Sequence, residues 1–512
     1  MGVMQPPVYL AVHVPEFAAQ SMLRMRPDLR RGPVAVVKGV APLQQVCSAN
    51  AHARTMGVEN GITRAQLDAF DGLTVLPASA AEEACARTAL LDVAGVFTPR
   101  IEPQPVSDGS FRLLLDMTGT TLMWGQTQQL VHRVAHAVGA VRIAARVVAS
   151  SNAHASLSLA AVPRSQPLVV HAGDEAKALA PLPLAALQLS QAEVETFQLW
   201  GLRTLGELAA LPVRDVVSRM GQRGKHLHAM ARGEHPHLLV PQESTFTLEE
   251  RVEFEAPVDV LDSLLFVLGP MLDQLVCRAA NRSYVLASVT TNLRLDGGGE
   301  HVRTVQPALP NSDRVALLKL IQLDLQAHAP GNGIVAVTLT AETGDRSKVQ
   351  MGLFAPQLPE AMRLDVTLAR IAALVGEDSV GSARLLDTHA TQNFTMERFV
   401  VKPASVKVMD RPVAQQAFSL RRCRPPVPLR VFPQHKQQGP RPLSFYLHGK
   451  LYLVSEAYGP WRRNGDWWSA DVWSHEEWDI RACSKDDAKS TLLCLLHYDL
   501  LRKTWTLEAT YD

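Results

Sequence analysis

The chain has 512 residues, 47% hydrophobic and 20% charged, with a formal net charge of +1. That composition is globular and the length exceeds one ordinary core, so about three or four domains are expected, while disorder and a bilayer-spanning run of about eighteen apolar residues are not. A near-neutral total does not exclude a polyanionic partner, because such binding follows local basic faces.

The N-terminus, Met1-Gly2-Val3-Met4-Gln5-Pro6-Pro7, has no basic stretch leading into an apolar segment, so no secretion signal is expected. Six cysteines (Cys47, Cys85, Cys277, Cys423, Cys483, Cys494) lack a C-x-x-C pair. This argues for reduced thiols and against a structural zinc or a disulfide framework. Val8-Tyr9-Leu10-Ala11-Val12-His13-Val14 is a continuous apolar run closed by Pro15, as in a buried central strand. Short strands and small-residue helices alternate from Val34 to Leu76, and Ser107-Asp108-Gly109 reads as a hairpin turn before Leu113-Leu114-Leu115. Helical spacing runs from Thr127 to Ala140, and Val141 to Ala149 reads as strand.

Residues 181 to 233 switch to helices joined by glycine turns. Gly201, Arg203 and Thr204 mark one turn, and Gly221, Arg223, Gly224 and Lys225 the other. Helix N-termini opening after such turns present free backbone N–H groups suited to phosphate, although glycine caps in a plain bundle would look the same. Gly221 to Lys225 is not a Walker loop, since His226 stands where Ser or Thr is needed. His226, His228, His235 and His237 lack Cys or carboxylate partners at ligand spacing and read as a solvated helix end. Residues 234 to 245 read as a connector. Two helices and three strands then follow around Gly297-Gly298-Gly299, read as a hairpin loop. Residues 401 to 442 carry nine Lys or Arg, one acid (Asp410) and eight prolines, the composition of an extended basic linker. Six of the eight tryptophans (Trp461, Trp467, Trp468, Trp473, Trp478, Trp505) crowd the last segment, which points to a small β domain with at least half of them in its core.

Several segments in order resemble Y-family DNA polymerases: the opening strand, Phe17-Ala18-Ala19-Gln20, Pro33 to Val36, Asn50-Ala51-His52-Ala53-Arg54, Leu115-Asp116-Met117-Thr118-Gly119 and Ser151-Asn152. The resemblance implies an α+β multidomain fold with palm, fingers, helical thumb and little finger, plus a C-terminal extension ending in a Trp-rich β domain. The expected boundaries are a palm over 1–165 with fingers inserted at about 17–77, a thumb of helix-hairpin-helix character over 166–235 and a linker over 236–245. A little finger over 246–347, a clamp-binding peptide over 348–358, a mixed partner region over 359–400, the basic linker over 401–442 and the β domain over 443–512 complete the plan.

Active members hold two Mg²⁺ ions with carboxylates, and Mg²⁺ demands hard oxygen ligands. Here His13 stands at the first carboxylate and Pro15 at a second acidic position. For the remaining pair, counting back from Asp116 reaches Phe111 and Arg112, whereas counting forward from Glu102 reaches Ser107 and Asp108, and both alignments stay open. Ala18, Ala51, Ala153 and Ser156 replace nucleotide-handling residues, and Arg54 alone remains, as a vestigial phosphate contact or a surface salt bridge.

Loss of these groups, with the terminal Trp-rich segment, resembles the noncatalytic Y-family relatives of bacterial mutasome operons. Gln350-Met351-Gly352-Leu353-Phe354 resembles the Q-L-x-L-F motif that inserts Leu and Phe into a pocket of the β sliding clamp. The implied protein is a cytoplasmic adaptor without catalytic residues, cofactor or membrane, nucleoid-associated when on DNA. Its implied partners are DNA, the clamp, ImuA and the error-prone DnaE-type polymerase ImuC. The competing expectations are an active polymerase with a metal site rebuilt from Asp108, Asp116 or Glu102, and a damaged-DNA binder that ignores the clamp.

Overall fold

The computed structural model describes residues 6–105, 108–187, 189–242, 246–307, 310–344, 361–376, 379–386, 394–397, 399, 419–436, 439–465, 468, 472–485 and 491–511. They form two compact units, Met1–Val375 and Gly376–Asp512.

The first unit opens with β1 (Tyr9–Val14) and α1 (Phe17–Arg24). Leu10, Val12 and Val14 enter one apolar cluster while Ala11 enters another, so the strand is apolar throughout because both faces are covered. An inserted three-stranded sheet, order β3-β2-β4, follows: β2 (Val34–Lys38), β3 (Gln45–Ala49) and β4 (Thr74–Pro77), with α2 (Ala51–Thr55) and α3 (Arg64–Leu67). The chain returns through α4 (Ala80–Phe97), β5 (Ile101–Gln104), β6 (Phe111–Asp116), α5 (Thr121–Trp124), α6 (Thr127–Ala140), β7 (Arg146–Ser150), α7 (Ala153–Ala161) and β8 (Leu168–Val169). The main sheet has the order β5-β6-β1-β7-β8, with β1 central. The strand expected from Val141 begins only at Arg146, because the chain turns after α6 with Arg142 at φ 61°.

Four helices come next: α8 (Glu175–Leu179), α9 (Gln191–Leu199), α10 (Leu205–Ala210) and α11 (Val213–Ala231). The connector is held by hydrogen bonds to β5 and to the N-cap of α7. Gln242 N donates to Ile101 O at 2.8 Å, Val240 N to Glu102 Oε2 at 3.2 Å, and Asn152 Nδ2 to His235 O at 2.9 Å.

β9 (Leu248–Val258), α12 (Leu261–Asn281), β10 (Val285–Leu295), β11 (Glu300–Val305), α13 (Arg314–Ala327) and β12 (Ile334–Gly344) build an antiparallel sheet of order β11-β10-β12-β9 backed by both helices. The triple glycine joins β10 to β11 as expected, with φ of 80°, 96° and 95° that only glycine adopts freely. On α12, Leu264, Leu268, Met271, Leu272, Leu275 and Ala279 recur at helical spacing and are all buried. By length and mean hydropathy (1.3) α12 meets the measure of a membrane-crossing helix, although Asp262, Asp273 and Arg278 interrupt its apolar residues. Half of that window is buried within the protein, as befits a core helix. Then α14 (Ala361–Val375) ends the unit.

This sheet-and-helix module is joined to the first by a buried ionic network. Arg24 of α1 donates to both oxygens of Glu250 of β9, at 2.6 and 2.7 Å. Arg278 of α12 meets the same carboxylate at 2.9 Å and also pairs with Asp92 of α4. Arg24, Arg278 and Glu250 are each 1% exposed and Asp92 is 3% exposed. Charges desolvated to this degree are costly unless paired, and each of these is paired, although Asp92 Oδ1 has no hydrogen-bond partner among the described residues.

The second unit holds a hairpin of β13 (Ser382–Leu385) and β14 (Phe394–Glu397), then a closed six-stranded barrel. Its strands are β15 (Leu420–Lys436), β16 (Gly439–Leu447), β17 (Lys450–Gly465), β18 (Trp473–Ser484), β19 (Thr491–Asp499) and β20 (Thr504–Tyr511). The basic Pro-rich stretch is therefore not a linker from residue 420 onward: it is β15 and the start of β16, and residues 401–418 lie outside the described residues. Pro425 and Pro426 are tolerated because they fall where the pairing of β15 with β20 is interrupted, between Arg422 and Val427. Trp478 and Trp505 are core, Trp473 is half-buried, and Trp461 and Trp468 are exposed at 47% and 71%. Aliphatic side chains such as Ile480, Leu496 and Leu507 fill the core with Trp478 and Trp505, and Trp467 lies outside the described residues.

Candidate functional site

Strand register decides what surrounds His13. On β1 it lies opposite Arg112 of β6 and Arg146 of β7, while Phe111 lies opposite Val14. The count back from Asp116 therefore gives the residues on the strand beside His13, and they are Phe111 and Arg112. Arg112 Nε donates to His13 Nδ1 at 3.0 Å, so that nitrogen is the unprotonated one and the ring is neutral. Burial, then the charges of Arg112 and Arg146, push the imidazole down to about 4.

Asp108 stands in the turn, not on the strand. Its Oδ1 accepts from Ser110 N at 3.0 Å and Ser110 Oγ at 2.5 Å, and its other oxygen pairs with Arg112. Burial raises this carboxyl, but the Ser110 hydrogen bonds and the Arg112 charge outweigh it and hold it below the usual carboxylate range. Asp116 lies at the far end of the strand opposite Tyr9, where it is buried, paired with Arg100 and accepts from Thr118 N at 2.8 Å. Glu102 Oε2 lies 2.7 Å from His237 Nε2. The three carboxylates offered for a rebuilt metal site are thus separately committed.

The neighbouring positions are occupied structurally. Ser156 is fully buried and bridges Tyr9 O at 2.9 Å and Ser150 Oγ at 2.8 Å; Ala153 is buried beside it. Asn152 caps α7 by accepting from Ala155 N at 3.1 Å. Arg54 donates to Glu16 Oε1 at 2.6 and 2.9 Å, to Asn60 Oδ1 at 2.6 Å and to Val58 O at 2.9 Å, so its guanidinium is committed within the chain.

In the helical segment Gly201 (φ 74°) turns the chain before α10. The backbone N–H groups of Arg203 and Thr204 donate to Glu207 Oε2, at 2.6 and 3.0 Å, which completes a capping box. Gly221 (φ 61°, ψ −148°) breaks α11, so a second helix opens at Gln222 beside exposed Arg223 and Lys225. Arg223 also pairs with Glu193 at 2.8 Å. Gly224 is there for packing: a Cβ would come within 2.7 Å of Met220 Cβ and 3.0 Å of Val216 O. Of the four histidines only His226 is exposed on the helix end as expected; His228, His235 and His237 are wholly or partly buried. His228 is buried with Nε2 2.9 Å from Leu211 O, and the His235 and His237 rings lie 4.9 and 5.1 Å from that of His154. His154, absent from the sequence reading, is pushed down to about 4 by burial and then by His237 and His235. Arg146 was also missed, because only register brings it beside His13. Gln350, Met351, Gly352, Leu353 and Phe354 lie outside the described residues.

The buried imidazole makes a measurable prediction. A folded pKa of about 4 for His13 lies below the ordinary 6.5, so between these values the unfolded chain takes up a proton that the folded chain refuses. Stability is whole above pH 6.5 and falls as pH drops toward 4, by about 2 kcal/mol at pH 5 for this residue. Urea unfolding of the first unit at pH 6.5 and 5 should show that loss, and His13→Asn should remove its share. An unchanged slope in the variant would contradict the assignment.

Residues 12–160 match the model of the impB/mucB/samB family. The chain is 28% identical over 427 residues to Protein ImuB of Caulobacter vibrioides (strain NA1000 / CB15N), covering 79% of this chain and 88% of that protein. It is 22% identical over 295 residues to DNA polymerase IV of Caulobacter vibrioides (strain ATCC 19089 / CIP 103742 / CB 15), covering 56% and 72%. Among solved structures, DinB from Sulfolobus solfataricus aligns with a TM-score of 0.38 at 13% identity, over 66% of this chain and 98% of that one.

Proposed function

We propose, from the premise that the chain is an ImuB-like protein with a Y-family polymerase-like body, that it is a noncatalytic adaptor in SOS-type error-prone translesion synthesis. The observation that carries this reading is the His13–Arg112–Arg146 cluster at the centre of the main sheet, where catalysis would need converging carboxylates. Mg²⁺ requires hard oxygen ligands in near-octahedral array. A divalent cation about 5 Å from a guanidinium is repelled by several kcal/mol even at an effective dielectric of about 20. Asp108 cannot offset this while it neutralises Arg112.

In this reading the main sheet is the palm and the Val34–Pro77 insertion the fingers. The helical segment is the thumb, and the Leu248–Gly344 module the little finger. DNA phosphates meet the turn at Gly221 with Arg223, Gly224 and Lys225, supported by Gly201, Arg203 and Thr204. The segment Gln350–Phe354 tethers the chain to the β clamp, and the second unit recruits ImuA and ImuC. Tethering raises the local concentration of an attached polymerase near a primer end without new chemistry.

Primer extension on damaged and undamaged templates with Mg²⁺ or Mn²⁺ tests the reading. The expected result is no incorporation above background while DNA binding persists, with Lys225→Ala lowering the salt dependence of binding by about one phosphate contact. Incorporation that disappears in Asp108→Ala or Asp116→Ala would establish a working polymerase instead.

A further inference from the structure

The barrel of the second unit brings together side chains that the adaptor reading does not use. His475 and Glu477 are two residues apart on β18, so alternation directs both to one face. His497 of β19 is the registered partner of Glu477. One ligand atom from each of the three residues lies within 4.8 Å of the others. Glu477 Oε1 is 3.2 Å from His475 Nε2 and 3.4 Å from His497 Nε2. Metal–ligand bonds of about 2.0–2.2 Å at a tetrahedral centre put neighbouring ligand atoms about 3.3–3.6 Å apart, close to the two distances from the Glu477 oxygen to the imidazole nitrogens.

His497 supplies an independent observation. It is 6% exposed, yet its Nε2 has no hydrogen-bond partner among the described residues. Its Nδ1 faces Glu508 Oε1 at 3.5 Å. Glu508 falls where the pairing of β19 with β20 shifts register, between the partners Ala509 and Leu507, so a local irregularity aims this carboxylate. A neutral imidazole has one N–H and one lone pair. Set between two carboxylates, it must turn the lone pair toward one of them. A cation at Nε2 removes the conflict: Nδ1–H then points to Glu508, the carboxylate–histidine–metal arrangement that orients ligating imidazoles.

We propose that His475, Glu477 and His497 form a binding site for a first-row divalent transition-metal cation of the zinc class, with Glu508 as the positioning residue behind His497. Two imidazoles and a carboxylate suit zinc-class ions better than Mg²⁺ or Ca²⁺, which take oxygen ligands. The site joins β18 to β19, with β20 behind it, and would brace the barrel wall.

The test uses the full chain, stripped with a chelator and titrated at pH 7 with Zn²⁺ by calorimetry and with Co²⁺ by visible absorption. His475→Ala removes the least buried ligand, and Glu477→Gln keeps the side-chain volume; circular dichroism checks the fold of both. The wild type is expected to bind about one more Zn²⁺ per chain than either variant, to give a cobalt spectrum the variants lack, and to gain thermal stability with Zn²⁺ that they do not. Equal stoichiometry and equal cobalt spectra in wild type and Glu477→Gln would overturn the proposal and leave His475, Glu477 and His497 as side chains packed together without an ion.

Discussion

Replacing Glu250 by Ala is expected to destabilise the first unit by about 3–5 kcal/mol, the cost of breaking a buried ion pair from one side. Glu250 is the common acceptor of Arg24 and Arg278, and its loss leaves both guanidinium groups, each 1% exposed, short of their shared carboxylate. Arg278 keeps Asp92, whereas Arg24 is left with Gln274 Oε1 at 3.3 Å and the carbonyl of Val141 at 2.8 Å. Arg24→Met combined with Glu250→Ala should cost less than the sum of the two single changes, because the double variant removes one stranded charge. Glu249→Ala, on the exposed neighbour, should stay within about 0.5 kcal/mol. The measurement is a urea midpoint for the first unit, with amide exchange in β9 and α12. A shift no larger than that of Glu249→Ala would mean that the two modules are not joined through this network.

The second large effect is functional. Leu353→Ala and Phe354→Ala are each expected to weaken clamp binding by about 2 kcal/mol or more, roughly thirtyfold, and the triple change with Gln350→Ala should abolish it. The apolar pair would fill a pocket on the clamp, and truncating such an anchor loses both burial and packing. Binding is best read by surface plasmon resonance against immobilised β clamp, with DNA affinity measured in parallel. Loss of clamp binding with DNA binding kept supports the tether, whereas undiminished clamp binding by the triple variant would leave the motif without a role and favour a clamp-independent DNA binder.

Much of the architecture was legible locally. The apolar run of β1, the helical spacing of Leu264 to Ala279 and the triple-glycine hairpin each declare their element within a few residues, since periodicity and turn chemistry are short-range properties. Misreadings arose where a partner distant in sequence overrode local composition. Pro-rich, basic residues 420–436 look like a linker until β20 pairs with them.

By itself the sequence determined the order of the elements and placed His13 in an apolar opening strand that Pro15 closes. Tertiary structure alone decided that Phe111 and Arg112, not Asp108, stand beside His13, because a one-residue slip in strand pairing moves every side chain to the other face and nothing local sets that register. It also decided that Arg24 meets Glu250 and that Glu477 meets His497, since contacts between residues far apart in the chain are created by packing and leave no spacing to read.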